Sequence, residues 1–329
     1  MNSSPLPGYL RWAGPLLAPG YGLGVRMHRA LSTPVKAPLP AVCVGNITVG
    51  GTGKTPACKY FARGLASRGR RPAVLMRGYK NQASDEAEEI NLALADLKLP
   101  SAVIVNSDRV AGAAQAKACG CDCVLLDDGF QHWRLKRDLD IVLIDATDPF
   151  GGGQLLPYGR LREPIDGLAR AGALIITRAD FLGAAELERL RAQLTLLAPQ
   201  AFIATARHSI GSLRALSGAA PESLQGHAVV AACGIGNPGA FQRTLLEQKA
   251  RVSDFVQFSD HHDYTQGDIA QLIAIVEATQ SEALLVTEKD SPKIAKLALG
   301  RLPVWVLSVT FTILEGETEV WRRVDAALK

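Results

Sequence analysis

Residues 50–55 read GGTGKT, placed between an aliphatic run, AVCVGN (41–46), and a stretch with helical spacing. A loop of this kind constrains the chain strongly. Its glycines let backbone amides come close to phosphate oxygens, and the helix that follows adds the partial positive charge of its N-terminus. In that arrangement Lys54 would reach the β and γ phosphates of a nucleoside triphosphate, and the Thr55 hydroxyl would hold Mg²⁺. Pro56 suits the first helical turn, where a missing N–H costs nothing. The expected phosphate-binding set is therefore Thr48, Val49, Gly50, Gly51, Thr52, Gly53, Lys54 and Thr55. The plainer reading is an ordinary glycine-rich turn.

Two positions depart from the usual patterns. The GxxxxGK[ST] template asks for glycine where Thr48 stands. The remaining GGxGKT is similar to a variant loop whose signature begins with an extra lysine, here replaced by Val49. Mg²⁺ needs carboxylate or water ligands beyond one hydroxyl. VLLDD (124–128) supplies two carboxylates at the end of an apolar run, so Asp127 and Asp128 are the metal candidates. The alternative is that they only cap the next element.

Short aliphatic runs at 41–46, 73–76, 102–105, 124–128, 140–145 and 173–177 alternate with helical spacing, which is the mark of βα units around a mainly parallel sheet. Leu187, Leu190, Leu194 and Leu197 form an apolar stripe over 184–197. A second set follows: AVVAACGIG (228–236), a helix after Pro238, DFVQF (254–258), a helix from about Thr265, and ALLVT (283–287). The pattern predicts a P-loop NTPase-like three-layer α/β/α core with a mainly parallel sheet, plus a second smaller α/β domain. The stretch 208–225, rich in Gly, Ser, Ala and Pro, reads as the junction. Boundaries follow at 1–30 for an N-terminal segment, 31–207 for the nucleotide-binding core, 208–225 for the linker and 226–329 for the smaller domain.

The net charge of +4 hides an asymmetry. No Asp or Glu precedes Asp85, and residues 1–84 carry twelve Lys and Arg, which leaves −8 for the rest of the chain. A cationic N-terminal quarter expects anionic partners: phosphates, anionic head groups or nucleic acid. A nucleic-acid motor would need stacking aromatics among those basic residues, and they are few. Trp12 to Val25 is nearly uncharged but holds Pro15, Pro19 and four glycines, and is too short to span a bilayer. It also lacks the pattern of a secretory signal. With Arg11, Arg26, His28 and Arg29 around Trp12, Leu16, Leu17, Tyr21 and Leu23, it reads as lying in a membrane interface, or else as packed on the protein's own core. The six cysteines lack CxxC spacing and read as reduced thiols. Cys119, Cys121 and Cys123 alternate as if on one strand face, and a metal clip is the other reading of them.

The block DDGFQHWRLKRDLDIVLID (127–145) resembles the hallmark of the tetraacyldisaccharide 4'-kinases. In the same order come GNITVGGTGKTP (45–56), MRGYK (76–80), SDEA (84–87), SDRVAGA (107–113), LLPYGRLREP (155–164), GIGNPGAF (234–241), SDHHDYT (259–265) and TEKD (287–290). The resemblance implies transfer of the γ-phosphoryl of ATP, with Mg²⁺, to the 4'-hydroxyl of a tetraacyl glucosamine disaccharide 1-phosphate in lipid A biosynthesis. It implies a glycolipid substrate and a place at the cytoplasmic face of the bacterial inner membrane, with no nucleic acid and no obligatory protein partner. It makes Asp85 the base and His261 its assistant, places Arg162 and Glu163 near the phosphates and metal, and puts Arg77 and Tyr79 on the disaccharide or its 1-phosphate. Ser84 and Lys80 stand where the family usually has glycine. His262 beside His261 reads as part of an Asp-flanked turn or as a metal ligand. His132 and Trp133 read as shaping the loop beside the nucleotide, and Lys289 and Asp290 either touch the nucleotide or cap a helix. Two other classes share the loop: a P-loop ATPase switch protein, which Val49 argues against, and a soluble small-molecule kinase, which would have no use for the N-terminal segment.

Overall fold

A computed structural model of the chain describes residues 14–78, 87, 89–91, 94, 102–260 and 262–329. The chain divides into two units, one formed by Met1–His208 with Phe311–Lys329 and the other by Ser209–Thr310.

In the first unit the aliphatic runs become strands: β2 (Ala41–Asn46), β3 (Pro72–Met76), β4 (Ala102–Val105), β5 (Cys123–Asp127), β7 (Leu139–Asp145) and β8 (Ala173–Thr177), joined by the first part of β9 (Phe202–Ser217). Two-residue strands β1 (Val35–Lys36) and β6 (Leu135–Lys136) pair with each other. The order within this unit is β9-β8-β7-β2-β5-β3-β4, and the pairs from β8/β9 through β3/β4 are parallel. Parallel strands covered on both faces need apolar side chains on both faces, which is why the sequence shows continuous rather than alternating runs. Along β2, Val42 and Val44 enter one core with Phe61, Leu65 and Trp321, whereas Ala41 and Cys43 enter another with Phe130, Leu190 and Leu194. Two cores on opposite faces of one sheet make the α/β/α sandwich.

Helix α2 (Lys54–Ser67) buries Ala57, Cys58, Phe61, Ala62 and Leu65, a stripe at helical spacing. Helix α3 (Arg109–Ala118) is capped by Asp108, whose carboxylate accepts from the Val110 and Ala111 amides at 3.0 and 3.2 Å. Helix α4 (Ala184–Leu197) buries Leu190 and Leu194. The chain after β2 crosses to β3 on one side, while β7 lies on the other. Strand β2 thus sits at a topological switch, where the carboxyl ends of an open parallel sheet leave a crevice for ligands.

The second unit repeats the principle on a smaller scale. Strands β11 (Arg251–Gln257), β10 (Ala228–Cys233), β12 (Ala283–Thr287) and β13 (Val304–Glu315) lie in that order, with parallel pairs. Val230 and Ala232 enter one core, and Val229, Ala231 and Cys233 the other. Helix α5 (Pro238–Glu247) starts at Asn237, and α6 (Gln266–Ala278) at a Thr265–Asp268 capping box.

Three details differ from the sequence expectations. Residues 208–217 of the expected linker belong to the long strand β9, whose Ser212 amide and hydroxyl bond Ser308 Oγ of β13 at 2.6 and 2.9 Å. The C-terminal residues 311–329 return to the first unit, where Trp321 of α8 (Glu317–Ala327) packs on Phe61, with ring centroids 5.4 Å apart. The three alternating cysteines do not share a strand: Cys119 is the exposed cap of α3, Cys121 sits in the connection and Cys123 opens β5.

Candidate active site

The loop between β2 and α2 is shaped from within. Asn46, fully buried at the end of β2, donates through Nδ2 to the Thr48 carbonyl (2.8 Å) and the Thr52 hydroxyl (2.9 Å), and accepts from Lys54 Nζ at 3.4 Å. Gly50 and Gly53 have φ of +117° and +86°, a backbone region that side-chained residues rarely enter. A Cβ at Gly53 would lie 2.1 Å from Nε2 of His208, so that glycine is required for space as well, and one at Gly50 would meet the end of the Arg160 side chain, Nη2, at the same distance. Burial and the Arg178 charge push the His208 ring down to about 3, so it is neutral at neutral pH. From behind, the Thr177 hydroxyl donates to the Thr52 carbonyl (3.3 Å), and Arg178 Nη2 donates to the Gly51 carbonyl (2.9 Å) while pairing with Asp145. With its carbonyls tied down by Asn46, Thr177 and Arg178, the loop leaves the first-turn amides of α2, which have no side-chain cap, for an anion.

The carboxylates stand beside this cradle. Asp127 accepts from the Cys58 thiol, one turn on from Lys54, at 3.2 Å. Burial and the neighbouring Asp128 charge push its carboxyl up. Asp128 takes the left-handed conformation (φ 52°), lies 3.9 Å from Lys54, and accepts from Arg162 Nη1 at 2.7 Å on each oxygen. Burial opposes its ionisation, but Lys54 and Arg162 hold it below the usual carboxylate range. One carboxyl is therefore biased towards its proton and its neighbour towards charge. Contacts of both aspartates with α2 side chains, together with the half-buried Thr55 in its first turn, fit a magnesium ion that completes its shell with phosphates and water. Glu163 is 2% exposed, and its oxygens are taken by Gln131 (2.8 Å) and Arg170 (2.9 and 3.1 Å). Among the described residues no group of three or more His, Cys, Asp or Glu is placed to hold a metal.

The structure thus brings Lys54, Thr55, Asp127, Asp128, Arg162 and Glu163 into one region. Arg77 is exposed just past the end of β3. Asp85, Tyr79 and His261 lie outside the described residues. His262 is occupied locally: its Nε2 is 3.1 Å from Asp268 in the α6 capping box, and its ring stacks on Phe258 at 4.6 Å. Asp290 stands at the N-cap position of the short α7 (Ser291–Ile294) without a side-chain cap bond, and its carboxylate accepts from the Thr287 hydroxyl (2.6 Å) and the Gly234 amide. His132 is pushed down to about 4 by burial and by Arg109 and Arg137. Sequence reasoning passed over Asn46, Arg160, Arg178 and His208. Asn46 had the one local signal, an amide ending an otherwise apolar strand just before the glycines.

Comparison with known proteins agrees with this geometry. The family model described as tetraacyldisaccharide-1-P 4'-kinase matches residues 11–329. A tetraacyldisaccharide 4'-kinase of Anaeromyxobacter sp. (strain Fw109-5) is 37% identical over 93% of this chain and 87% of its own. One from Elusimicrobium minutum is 36% identical over 92% and 88%. Among solved structures, LpxK of Aquifex aeolicus in complex with ATP superposes with a TM-score of 0.71 at 25% identity, covering 97% of this chain and all of that one. The chain belongs to the tetraacyldisaccharide-1-phosphate 4'-kinase family.

Proposed function

We propose that the chain transfers the γ-phosphoryl of ATP to the 4'-hydroxyl of a tetraacyl glucosamine disaccharide 1-phosphate, a step of lipid A biosynthesis. The observation that carries this reading is the joining of Lys54, Asp128 and Arg162 at the mouth of the glycine loop, in a chain matched by the family model from residue 11 to its end. That match also disfavours the switch-protein and soluble-kinase readings.

The sugar oxygen forms its bond to the γ-phosphorus while its proton passes to the Asp85 carboxylate. The bond from that phosphorus to the β–γ bridging oxygen breaks, and ADP leaves with the electron pair. His261 assists Asp85 as base. Lys54 and Arg162 stabilise charge on the transferred group, and the α2 amides hold the β-phosphate. Thr55, Asp127 and Asp128 would hold Mg²⁺, with Glu163 joining only by giving up Arg170 or Gln131. When bound, that ion would supply neutralisation of the phosphate charge. Arg77 and Tyr79 contact the disaccharide or its 1-phosphate. The enzyme works as a peripheral protein on the cytoplasmic face of the inner membrane, and helix α1 (Gly14–Leu31) is its contact with the lipid. No helix among the described residues is long and apolar enough to cross a membrane.

The test is incubation with labelled ATP and tetraacyl disaccharide 1-phosphate in detergent micelles, with chromatography for a doubly phosphorylated lipid. An unlabelled lipid rejects the proposal. Asp85→Asn should keep ATP binding and lose roughly two or more orders of magnitude in turnover. Normal turnover in that variant removes Asp85 as base.

A further inference from the structure

The geometry points to Arg160 as a phosphate-binding residue of the nucleotide site, replacing from a distant segment the cation that is missing at Val49. This rests on the nucleotide-binding part of the function proposed above.

Val49 brings no charge to the loop, and the only lysine in it is Lys54. The segment 160–162 lies antiparallel to the start of the loop: the Val49 amide donates to the Arg160 carbonyl at 2.7 Å, the Arg162 amide to the Ile47 carbonyl at 2.8 Å, and Thr48 bridges Leu161. This register delivers two arginines, two residues apart and so on the same face of the segment, to the site. Arg162 pairs with Asp128 through Nη1. Arg160 folds over the loop itself, with Nε and Nη2 on the Val49 carbonyl (3.0 and 2.7 Å) and Nη1 on Asp148 (3.0 Å).

Its seat is built for it on two sides. The space a side chain at Gly50 would fill is taken by Nη2. On the other side, a Cβ at Gly151 would come within 2.7 Å of the Arg160 Cβ, and Gly151, Gly152 and Gly153 all have positive φ, a run that only glycine tolerates easily. That turn returns the Gly152 amide to Asp148 at 3.0 Å, so the carboxylate steering the guanidinium is itself held on its other oxygen. A guanidinium has five N–H groups in a fixed plane. The three bonds named use the Nε–H and one N–H on each terminal nitrogen, so one more on each remains for an oxygen at the mouth of the loop.

Lys54 and the α2 amides belong to the end of the loop that meets the helix, whereas Val49 and Gly50 belong to its beginning. A cation held at the beginning meets the outermost phosphate, so Arg160 favours triphosphate over diphosphate. A charge-assisted hydrogen bond to a phosphate oxygen is among the strong polar contacts, and its loss corresponds to about a tenfold fall in affinity.

Titration calorimetry of the full chain with Mg²⁺, using ADP and the non-hydrolysable triphosphate AMP-PNP, reads the difference. Arg160→Gln is expected to weaken AMP-PNP binding about tenfold and ADP binding less than about twofold. Equal weakening of both nucleotides, or of neither, overturns the assignment and leaves Arg160 as a tie between two segments. If Arg160→Gln does not fold, Arg160→Lys carries the test. It keeps the charge but not the fork, so its preference for triphosphate should fall by about threefold, and an unchanged preference overturns the proposal. A wild-type chain that binds neither nucleotide would instead reject the function proposed above.

Discussion

Arg178 shows how much a single residue can hold. It follows β8 in the left-handed conformation (φ 54°), is 8% exposed, and spans the Asp145 carboxylate and the Gly51 carbonyl. Asp145 is also buried, and accepts from the Thr147 amide and hydroxyl at 3.0 and 2.7 Å. Removing one partner of a buried ion pair leaves the other charged without compensation, which costs about 3–5 kcal/mol. Arg178→Met should lower the urea midpoint by that scale, and Asp145→Asn in the same chain should restore part of it. A double variant as unstable as the sum of the singles would show that the two groups act independently. The arginine cannot be recognised from ALIITRAD, because its partners lie at Gly51 and Asp145, more than thirty residues away in sequence.

Among the elements, α1 has the least expected surface. One side is docked: Ala18 is buried, a Cβ at Gly22 would come within 2.7 Å of Leu155 Cδ1, and the Tyr21 hydroxyl donates to the Arg162 carbonyl at 2.9 Å. The other side exposes Leu23, Met27 and Leu31, at 61%, 54% and 79%, which recur every four residues on one face. Such a stripe is unfavourable in water and favourable in a head-group boundary, with a fully buried side chain worth about 1.5–3 kcal/mol. Leu23→Asp with Met27→Asp should therefore reduce co-sedimentation with anionic vesicles by roughly an order of magnitude or more, while the thermal midpoint stays within about 2 °C because neither side chain is packed. Unchanged sedimentation would remove α1 as the lipid contact. Of the two sequence readings, packing on the protein's own core describes one face of this helix, and the other face is left bare.

At the scale of the whole molecule, acid should act through half-buried histidines with ring nitrogens shut off from water. His208 and His132 are depressed to about 3 and about 4, against an ordinary value near 6.5. Between those limits the unfolded chain binds a proton at each position and the folded chain does not, so stability falls as pH drops from about 6.5 towards 4. Asp127, raised by burial, works in the opposite sense above the ordinary carboxylate range. Urea midpoints measured from pH 7 to 4.5 should decline for the wild type, and more gently for a chain carrying His132→Asn and His208→Asn. Parallel declines would place the acid sensitivity elsewhere.

What the sequence by itself determined is local: the glycine loop with Lys54 and Thr55, the strands that end at Asn46 and Asp127, and the helix over 184–197. In each, spacing along the chain is also spacing in the structure, because helix period, strand burial and loop chemistry act over a few residues. The family motifs extended that reading to Arg162 and Glu163. Only the tertiary structure decided what meets the loop. Strand order puts the ends of β2, β5, β7 and β8 together, and so joins Asn46, Asp128, Asp145 and Arg178 although more than 130 residues separate the first from the last. It also made a strand of a Gly- and Ser-containing stretch expected to link domains, because pairing with β13 satisfies backbone groups whatever side chains they carry. The final helix returned to the first unit because Val320, Trp321 and Val324 complete a core begun at Phe61.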